Sequence, residues 1–332
     1  MKKITAAITA VGKYLPEYVL TNKILEGMVD TTSDWILTRT GIQERRILKG
    51  EGKGSSYMAI RAGNDLLAKS NVNPKEIDLV IIATATPDMK AASTAAFVAT
   101  EIGATNAFSF DLESACSSFL YGMSVASTYI ETGKYKKVLL IGSDMNSSFI
   151  DYTDRKTCII FGDGAGAVLF EPNNEGFGVI DEYLRTDGSG RDFLKVEAGG
   201  SLYPPTHETI NEKKHFVYQE GKTVFKYAVS NMADAAEKLL ERNQLAKNEI
   251  DWLVAHQANK RIIDATASRF DLDESKVMMN IQKYGNTTSA TLPLLLNDYE
   301  SQLKKGDKLI FAAFGGGFSW GAIYLTWAYN KN

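Results

Sequence analysis

The run Glu76-Ile-Asp-Leu-Val80 returns as Glu249-Ile-Asp-Trp-Leu-Val254, an interval of 173 residues (76 to 249). At the same interval Leu66-Leu67 falls on Leu239-Leu240, inside the helical pattern just upstream of each run. The two copies also end alike, with Phe161-Gly-Asp-Gly-Ala-Gly-Ala167 answered by Phe314-Gly-Gly-Gly-Phe-Ser-Trp-Gly-Ala322. Three matches in one order point to an internal duplication. Each half, residues 1–172 and 173–332, would form one set of α/β layers, and the two would pack about a pseudo-twofold axis.

The local patterns agree with an α/β protein. Apolar strand-like runs occur at Ile4 to Val11, Asp78 to Thr86, Phe108 to Leu112, Lys137 to Gly142 and within 158–170, those at 78–86 and 108–112 being expected as buried strands. Helical periodicity marks Leu20 to Met28, Tyr57 to Lys69, Ala91 to Ile102 and the stretch after Cys116, where Leu120, Met123, Ala126 and Ile130 share a face. From about 173 to 221 the pattern dissolves among Gly188-Ser-Gly190, Gly199-Gly200 and Pro204-Pro205. This stretch is expected to be a strand followed by a long surface excursion, with His207 and His215 solvated on it. Order then resumes with a helix from Thr223 to Arg242 and a strand from Glu249 to Ala255.

Composition closes several routes. A net charge of −3 gives nucleic-acid binding no support. Cys116 and Cys158 are the two cysteines, too few for a disulfide framework or a metal set, and they suit a reducing cytoplasm. No apolar run reaches the ~18 residues of a membrane helix, and Met1 to Lys13 is too short and threonine-broken for a signal peptide. Phe161-Gly-Asp-Gly-Ala-Gly lacks dinucleotide spacing, and the Gly-rich loops carry no Gly-Lys-Ser/Thr ending.

Cys116 stands between a strand and a helix, where backbone N–H groups and the helix dipole favour thiolate. Taken alone, it fits a small buried hydrophobe as well as a nucleophile. His256 follows a strand of the second half, and Asn286 sits in a Gly-Asn turn ahead of a helix. Together the three suit acyl-thioester chemistry: a sulfur to hold an acyl group, and two hydrogen-bond donors for a carbonyl or enolate oxygen. The run Gly315-Gly-Gly-Phe-Ser319 brings backbone N–H groups within reach of the sulfur. Trp35 and Arg39 share one face of a helix capped by Ser33 or Asp34; a base-and-phosphate platform and a plain surface stack both fit. Cys158 is expected to be buried and inert, leading into an apolar strand.

Ala-Cys116-Ser-Ser-Phe, Thr-Asp-Arg155-Lys-Thr, Phe161-Gly-Asp-Gly-Ala-Gly, His256-Gln-Ala-Asn-Lys-Arg, Tyr-Gly-Asn286-Thr-Thr-Ser-Ala-Thr and Phe314-Gly-Gly-Gly-Phe-Ser-Trp-Gly together resemble β-ketoacyl-[acyl-carrier-protein] synthase III. The motifs run from Trp35 to Trp320 in family order. The resemblance implies a thiolase-like, five-layered αβαβα fold of two pseudo-twofold-related halves, and a homodimer. It implies Cys116, His256 and Asn286 as catalytic residues, an oxyanion hole from the N–H groups of Cys116 and Gly316, and coenzyme A contacts from Trp35, Arg39 and Arg155. Gln257, Ala258, Asn259, Lys260 and Arg261, with Lys226 and Arg269, fall on the acyl-carrier-protein docking segment. Ala91 and Phe314 fall at the acyl pocket. The implied substrates are an acyl-coenzyme A primer and malonyl-acyl carrier protein, with no permanently bound cofactor and no metal.

The chain departs from the family pattern in two places. Ser117-Ser118 replaces the usual Ala-Gly, which is expected to alter hydrogen bonding at the helix start. Ala91 replaces a bulky residue that some relatives contribute from the partner subunit, leaving room for a branched or longer primer. A related ketosynthase or acyltransferase of secondary metabolism would share the Cys-His-Asn set. A degradative thiolase would need a second cysteine in the C-terminal half, and a non-catalytic partner subunit would usually lack the nucleophile.

Overall fold

The computed structural model describes residues 4–331, so Met1 to Lys3 and Asn332, the outer ends of the two expected halves, lie outside the described residues. The first sheet runs in the order Thr5–Tyr14, Gly164–Asn173, Val138–Asp144, Leu79–Ala83, Phe108–Leu112. The second runs Gly178–Thr186, Ser319–Thr326, Lys308–Gly315, Trp252–Ala255. Beyond its last strand, Leu253 makes a parallel bridge to Val277, in the place that Phe108–Leu112 takes in the first sheet. The two sheets therefore repeat one strand order, with two parallel neighbours inside and antiparallel strands at the other edge.

Side-chain alternation along these strands assigns each face to a different core. Leu79, Ile81 and Ala83 pack inward with Leu309, Phe311 and Ala313 of the other sheet, and helices Ser118–Glu131 and Thr291–Tyr299 fill the space between. Val80 and Ile82 face outward onto helices Ser55–Ser70 and Thr94–Glu101. Leu253, Ile310 and Ala312 face the opposite way, onto helices Gly221–Arg242 and Lys260–Arg269. Helices, sheet, helices, sheet, helices make five layers.

Several expectations shift by a residue or a role. The Trp35 helix spans Ser33–Thr40, and its cap is Thr32, whose side chain accepts from Trp35 N. The small-residue helix begins at Thr94 with Ser93 as cap, leaving Ala91 outside it in a left-handed conformation (φ 70°). Phe108–Leu112 is a strand as expected but is not buried: it pairs on one side only, and Phe108 is exposed. Cys158 to Ile160 is a turn, and the apolar strand begins at Gly164. The 187–220 excursion holds a ribbon of Leu194–Val196 with Val217–Gln219 and a short helix, His207–Asn211. His207 on that helix is exposed, whereas His215 is half-buried against the Phe216 ring. Among the described residues no helix is long and apolar enough to cross a membrane.

The halves interlock where Gly142 meets the start of the second inner helix. A Cβ at Gly142 would lie 2.2 Å from the Ser289 carbonyl oxygen. Gly142→Ala should therefore cost about 1–3 kcal/mol and lower Tm by several degrees. A thermal melt equal to that of the parent would show that the two halves do not meet so tightly there.

Candidate active site

Each inner helix is entered through the same device. A 3-10 turn at Ala115–Ser117 leads into helix Ser118–Glu131, and a second at Thr288–Ala290 leads into Thr291–Tyr299. Both turns open on a left-handed residue, Ala115 (φ 48°) and Thr288 (φ 51°), and they stand 173 residues apart. Cys116 thus occupies a sharp elbow at the meeting of the two halves, with Ser289 as its counterpart. Ser117 and Ser118 hold the elbow. The Ser118 hydroxyl accepts from Ser114 N at 2.6 Å and donates to the Ala115 carbonyl at 2.7 Å, while Ser117 donates to the Ser319 carbonyl at 3.0 Å. Gly315 is required there, because a Cβ would stand 2.8 Å from Cys116 N.

The sulfur borders two cavities. One, about 160 Å³, is shared by Cys116, His256, Asn286 and Phe314 and extends past Phe225 to Asn259. The other, about 620 Å³, is lined by Cys116, Glu113, Gly316, Phe161 and Leu194 among others. His256 is buried at the end of Trp252–Ala255, its N–H bonded to the Ala312 carbonyl at 2.8 Å. Neither ring nitrogen has a hydrogen-bond partner among the described residues, and burial lowers its pKa to about 3, so the imidazole is neutral. Asn286 is held by main-chain bonds on both sides: its N–H reaches the Ile160 carbonyl at 2.9 Å, and its carbonyl accepts from Gly162 N at 3.0 Å. The preceding Gly285 has φ 65°, and a Cβ there would meet Ile160 O at 2.6 Å, so the turn needs glycine. Asn286 Oδ1 accepts from Thr288 N at 2.9 Å, which leaves the amide nitrogen to face the sulfur.

The thiol does not follow the local expectation of a depressed pKa. Burial pushes Cys116 up to about 12, helped by the nearby Asp144 carboxylate. Hydrogen bonds from Asn286, the Cys116 backbone and Thr288 pull the other way without offsetting it. The helix start is real, but desolvation outweighs it. Cys158 is also buried and raised, to about 11.

Two residues here escaped the sequence reading. Asp144, fully buried, accepts from Thr84 Oγ1, Ala85 N, Thr86 N and Thr86 Oγ1 on one oxygen and from Ser289 N at 2.8 Å on the other. Thr288 lies at the sulfur and donates to Asn146 Oδ1 at 2.7 Å. The 173-residue repeat was the signal for Thr288, since it maps Ala115 onto it.

On the surface, the Arg155 and Arg39 guanidinium groups lie 5.3 and 5.7 Å from the centre of the Trp35 ring. Asn259 donates to the Arg39 carbonyl at 3.0 Å, which puts this cluster at the mouth of the smaller cavity. The docking set separates. Lys226 is exposed with no ionic partner among the described residues, and exposed Arg261 packs over the Phe225 ring at 5.1 Å. Lys260 is paired with Asp264 at 2.8 Å, and Arg269 with Asp234 at 3.0 Å and with Glu237. Ala258 lines the smaller cavity. Gln257 is a correction: it is fully buried, and its amide is spent on the carbonyls of Ala255 and Met278 and on the N–H groups of Asn280 and Ile281. Its side chain braces the loop from inside and offers nothing to a partner. Ala91 is exposed and borders neither cavity, and Phe314 lies on the His256 side. Among the described residues no group of three or more His, Cys, Asp or Glu could hold a metal ion.

Fold and site define an acyl-transferring condensing enzyme of the thiolase class. Residues 110–188 match the family model "3-Oxoacyl-[acyl-carrier-protein (ACP)] synthase III", and residues 240–327 match that of its C-terminal part. A β-ketoacyl-[acyl-carrier-protein] synthase III of Phocaeicola vulgatus is 54% identical over 99% of this chain and 99% of its own. The crystal structure of the synthase III of Aquifex aeolicus VF5 has a TM-score of 0.89 at 38% identity, covering 97% of this chain and 100% of its own. That of Pseudomonas aeruginosa PAO1 has a TM-score of 0.90 at 34% identity, covering 99% and 100%. This chain belongs to the 3-oxoacyl-[acyl-carrier-protein] synthase III family.

Burial has a measurable consequence for the sulfur. Alkylation of Cys116 by iodoacetamide, followed by peptide mass spectrometry, should rise about tenfold per pH unit through neutrality without levelling. Asn286→Ala removes a bond that favours thiolate and should slow alkylation at any fixed pH. A plateau near pH 7 would mean that the helix start, and not desolvation, governs the thiol.

Proposed function

We propose that this chain is the initiating condensing enzyme of type II fatty-acid synthesis, joining an acyl-coenzyme A primer to malonyl-acyl carrier protein. The observation that carries the chemistry is the smaller cavity, where one sulfur meets a neutral histidine with two unpartnered ring nitrogens and an asparagine whose amide nitrogen faces inward. Leaving buried polar groups unpaired costs about 1–3 kcal/mol each, a cost that a ligand oxygen relieves.

In the first half-reaction the Cys116 sulfur attacks the primer's thioester carbonyl. A new S–acyl bond forms, the coenzyme A S–acyl bond breaks, and the cysteine proton ends on the departing thiol. The N–H groups of Cys116 and Gly316 hold the transient oxyanion. The carrier arm occupies the smaller cavity, with adenine and phosphates against Trp35, Arg39 and Arg155, and the acyl chain enters the larger one. Phe314 consequently contacts the arm and not the chain.

In the second half-reaction malonyl-acyl carrier protein enters by the same route. Its carboxylate leaves as CO2, and His256 and Asn286 donate to the enolate oxygen. The enolate carbon attacks the acyl-cysteine; the C–C bond forms, the S–acyl bond breaks, and the sulfur takes up a proton. No permanently bound cofactor enters these steps. Lys226 and Arg261, the two docking cations free of acidic partners among the described residues, meet the acidic carrier protein. The halves 1–172 and 173–332 each supply one part of the site. Two chains pair along the open edge of Phe108–Leu112, beside exposed Met89, Ala91 and Phe97, in the cytoplasm.

Cys116→Ala should abolish both half-reactions, whereas His256→Ala and Asn286→Ala should still be acylated. Intact mass after incubation with acetyl-coenzyme A decides, and an unmodified Cys116 in the parent would sink the mechanism. Arg261→Glu should weaken the carrier-protein step at least about fivefold and spare acylation by coenzyme A thioesters. Equal loss in both would indicate damage to the fold and not to docking.

A further inference from the structure

Glu113 stands three residues before Cys116 and lines the larger cavity with it. No hydrogen bond or ion pair engages its carboxylate among the described residues. Asp111, two residues earlier, in the strand, shows what an employed carboxylate looks like there: it holds the start of helix Thr94–Glu101, accepting from Thr94 N at 2.8 Å and Ala95 N at 2.7 Å. Glu113 has no such structural task. It opens into the cavity, yet enough protein surrounds it that burial raises its pKa, with the Asp144 charge adding to the effect.

The cavity's other charges do not balance it. Lys195 is paired with Asp192 at 2.9 Å and has Glu197 at 3.8 Å, and Arg191 has Asp192 at 4.0 Å. Both cations on the lining therefore already face acids, and the buried Asp144 carboxylate, behind the lining, is near enough to raise both the Cys116 and the Glu113 pKa. The remaining wall carries no charge: Phe149, Phe161, Leu194, Val217 and Phe318 make it largely apolar, with the uncharged hydroxyl side chains Ser114, Thr186, Thr288 and Ser319 among them. A second carboxylate placed here would lose its water and meet an unneutralised like charge, whereas an uncharged acyl chain would lose nothing.

We infer that Glu113 is a specificity-determining residue, whose carboxylate keeps acyl groups ending in a carboxylate off Cys116. The inference rests on the proposed primer half-reaction. It gives the site a physical means of telling its two thioesters apart. The extender carries a carboxylate and must reach the His256 side without acylating the sulfur, while the primer carries none.

The test compares two acyl groups of equal length, butyryl and succinyl, with acetyl as a third donor. Initial rates of Cys116 acylation from the three coenzyme A thioesters are read by intact mass for the parent and for Glu113→Gln, which keeps the shape and removes the charge. The parent should favour butyryl over succinyl, and the succinyl-to-butyryl ratio should rise at least about tenfold in the variant. An unchanged ratio, a parent that takes succinyl as fast as butyryl, or no succinyl adduct on the variant overturns the role of Glu113. No Cys116 adduct from any of the three donors on the parent overturns the primer half-reaction itself, and the inference with it.

Discussion

Asp144 is the point on which the site's architecture hangs. It closes the central strand Val138–Asp144, and its two oxygens bind different halves of the molecule: one gathers the 84–86 loop, the other takes the Ser289 N–H. Ser289 lies in the turn that carries Thr288 to the sulfur, and Thr288 N in turn orients the Asn286 amide. A carboxylate wholly removed from water is costly unless nearly every lone pair is used, and here five donors converge on it. That requirement fixes the second-half turn against the first-half elbow more firmly than apolar packing alone, which tolerates small slides.

The same charge shapes the chemistry around it. It disfavours ionisation of Cys116, and burial does so more strongly. Asn286 and the elbow N–H oppose this. Thr288 at the sulfur opposes it as well, and its hydroxyl is tied to Asn146 Oδ1 at 2.7 Å, with Asn146 Nδ2 bound in turn to the Gly162 carbonyl at 2.6 Å. His256, by contrast, is kept neutral by burial alone, with no acid placed to charge it. A neutral donor is the form that can stabilise an enolate oxygen and then release the finished ketone.

Much of this was legible because duplication leaves a ruler in the sequence. Residues 76–80 and 249–254 mark the same strand of the two sheets, and Cys116, His256 and Asn286 each sit where a strand or turn meets the next element. What escaped depends on distant packing. The burial of Gln257 comes from Met278, Asn280 and Ile281, some twenty residues on, and the neutralised Arg269 from acids on helix Gly221–Arg242. The thiol's pKa was misjudged because a helix start is local and readable, whereas desolvation by both halves is not. Phe108–Leu112 looked buried by its residues but lies at a sheet edge, and apolar content alone cannot tell an edge from a centre.

The duplicated elbows also explain why one half holds the nucleophile. Ser289 has the geometry of Cys116, yet its N–H is committed to Asp144 and its hydroxyl turns to the Ala115 carbonyl at 3.4 Å. Its own carbonyl abuts Gly142, leaving no space above the turn. Gly315, the counterpart of Gly142 at the same 173-residue interval, faces Cys116 and lets a bare main chain lie beside the cysteine N–H. The Ser289 N–H is taken by a carboxylate and that elbow becomes a brace; the Cys116 N–H has no such acceptor facing it among the described residues and, in the proposed reaction, serves the substrate oxygen. Two copies of one turn thus diverged through the groups that face them, not through the turn itself.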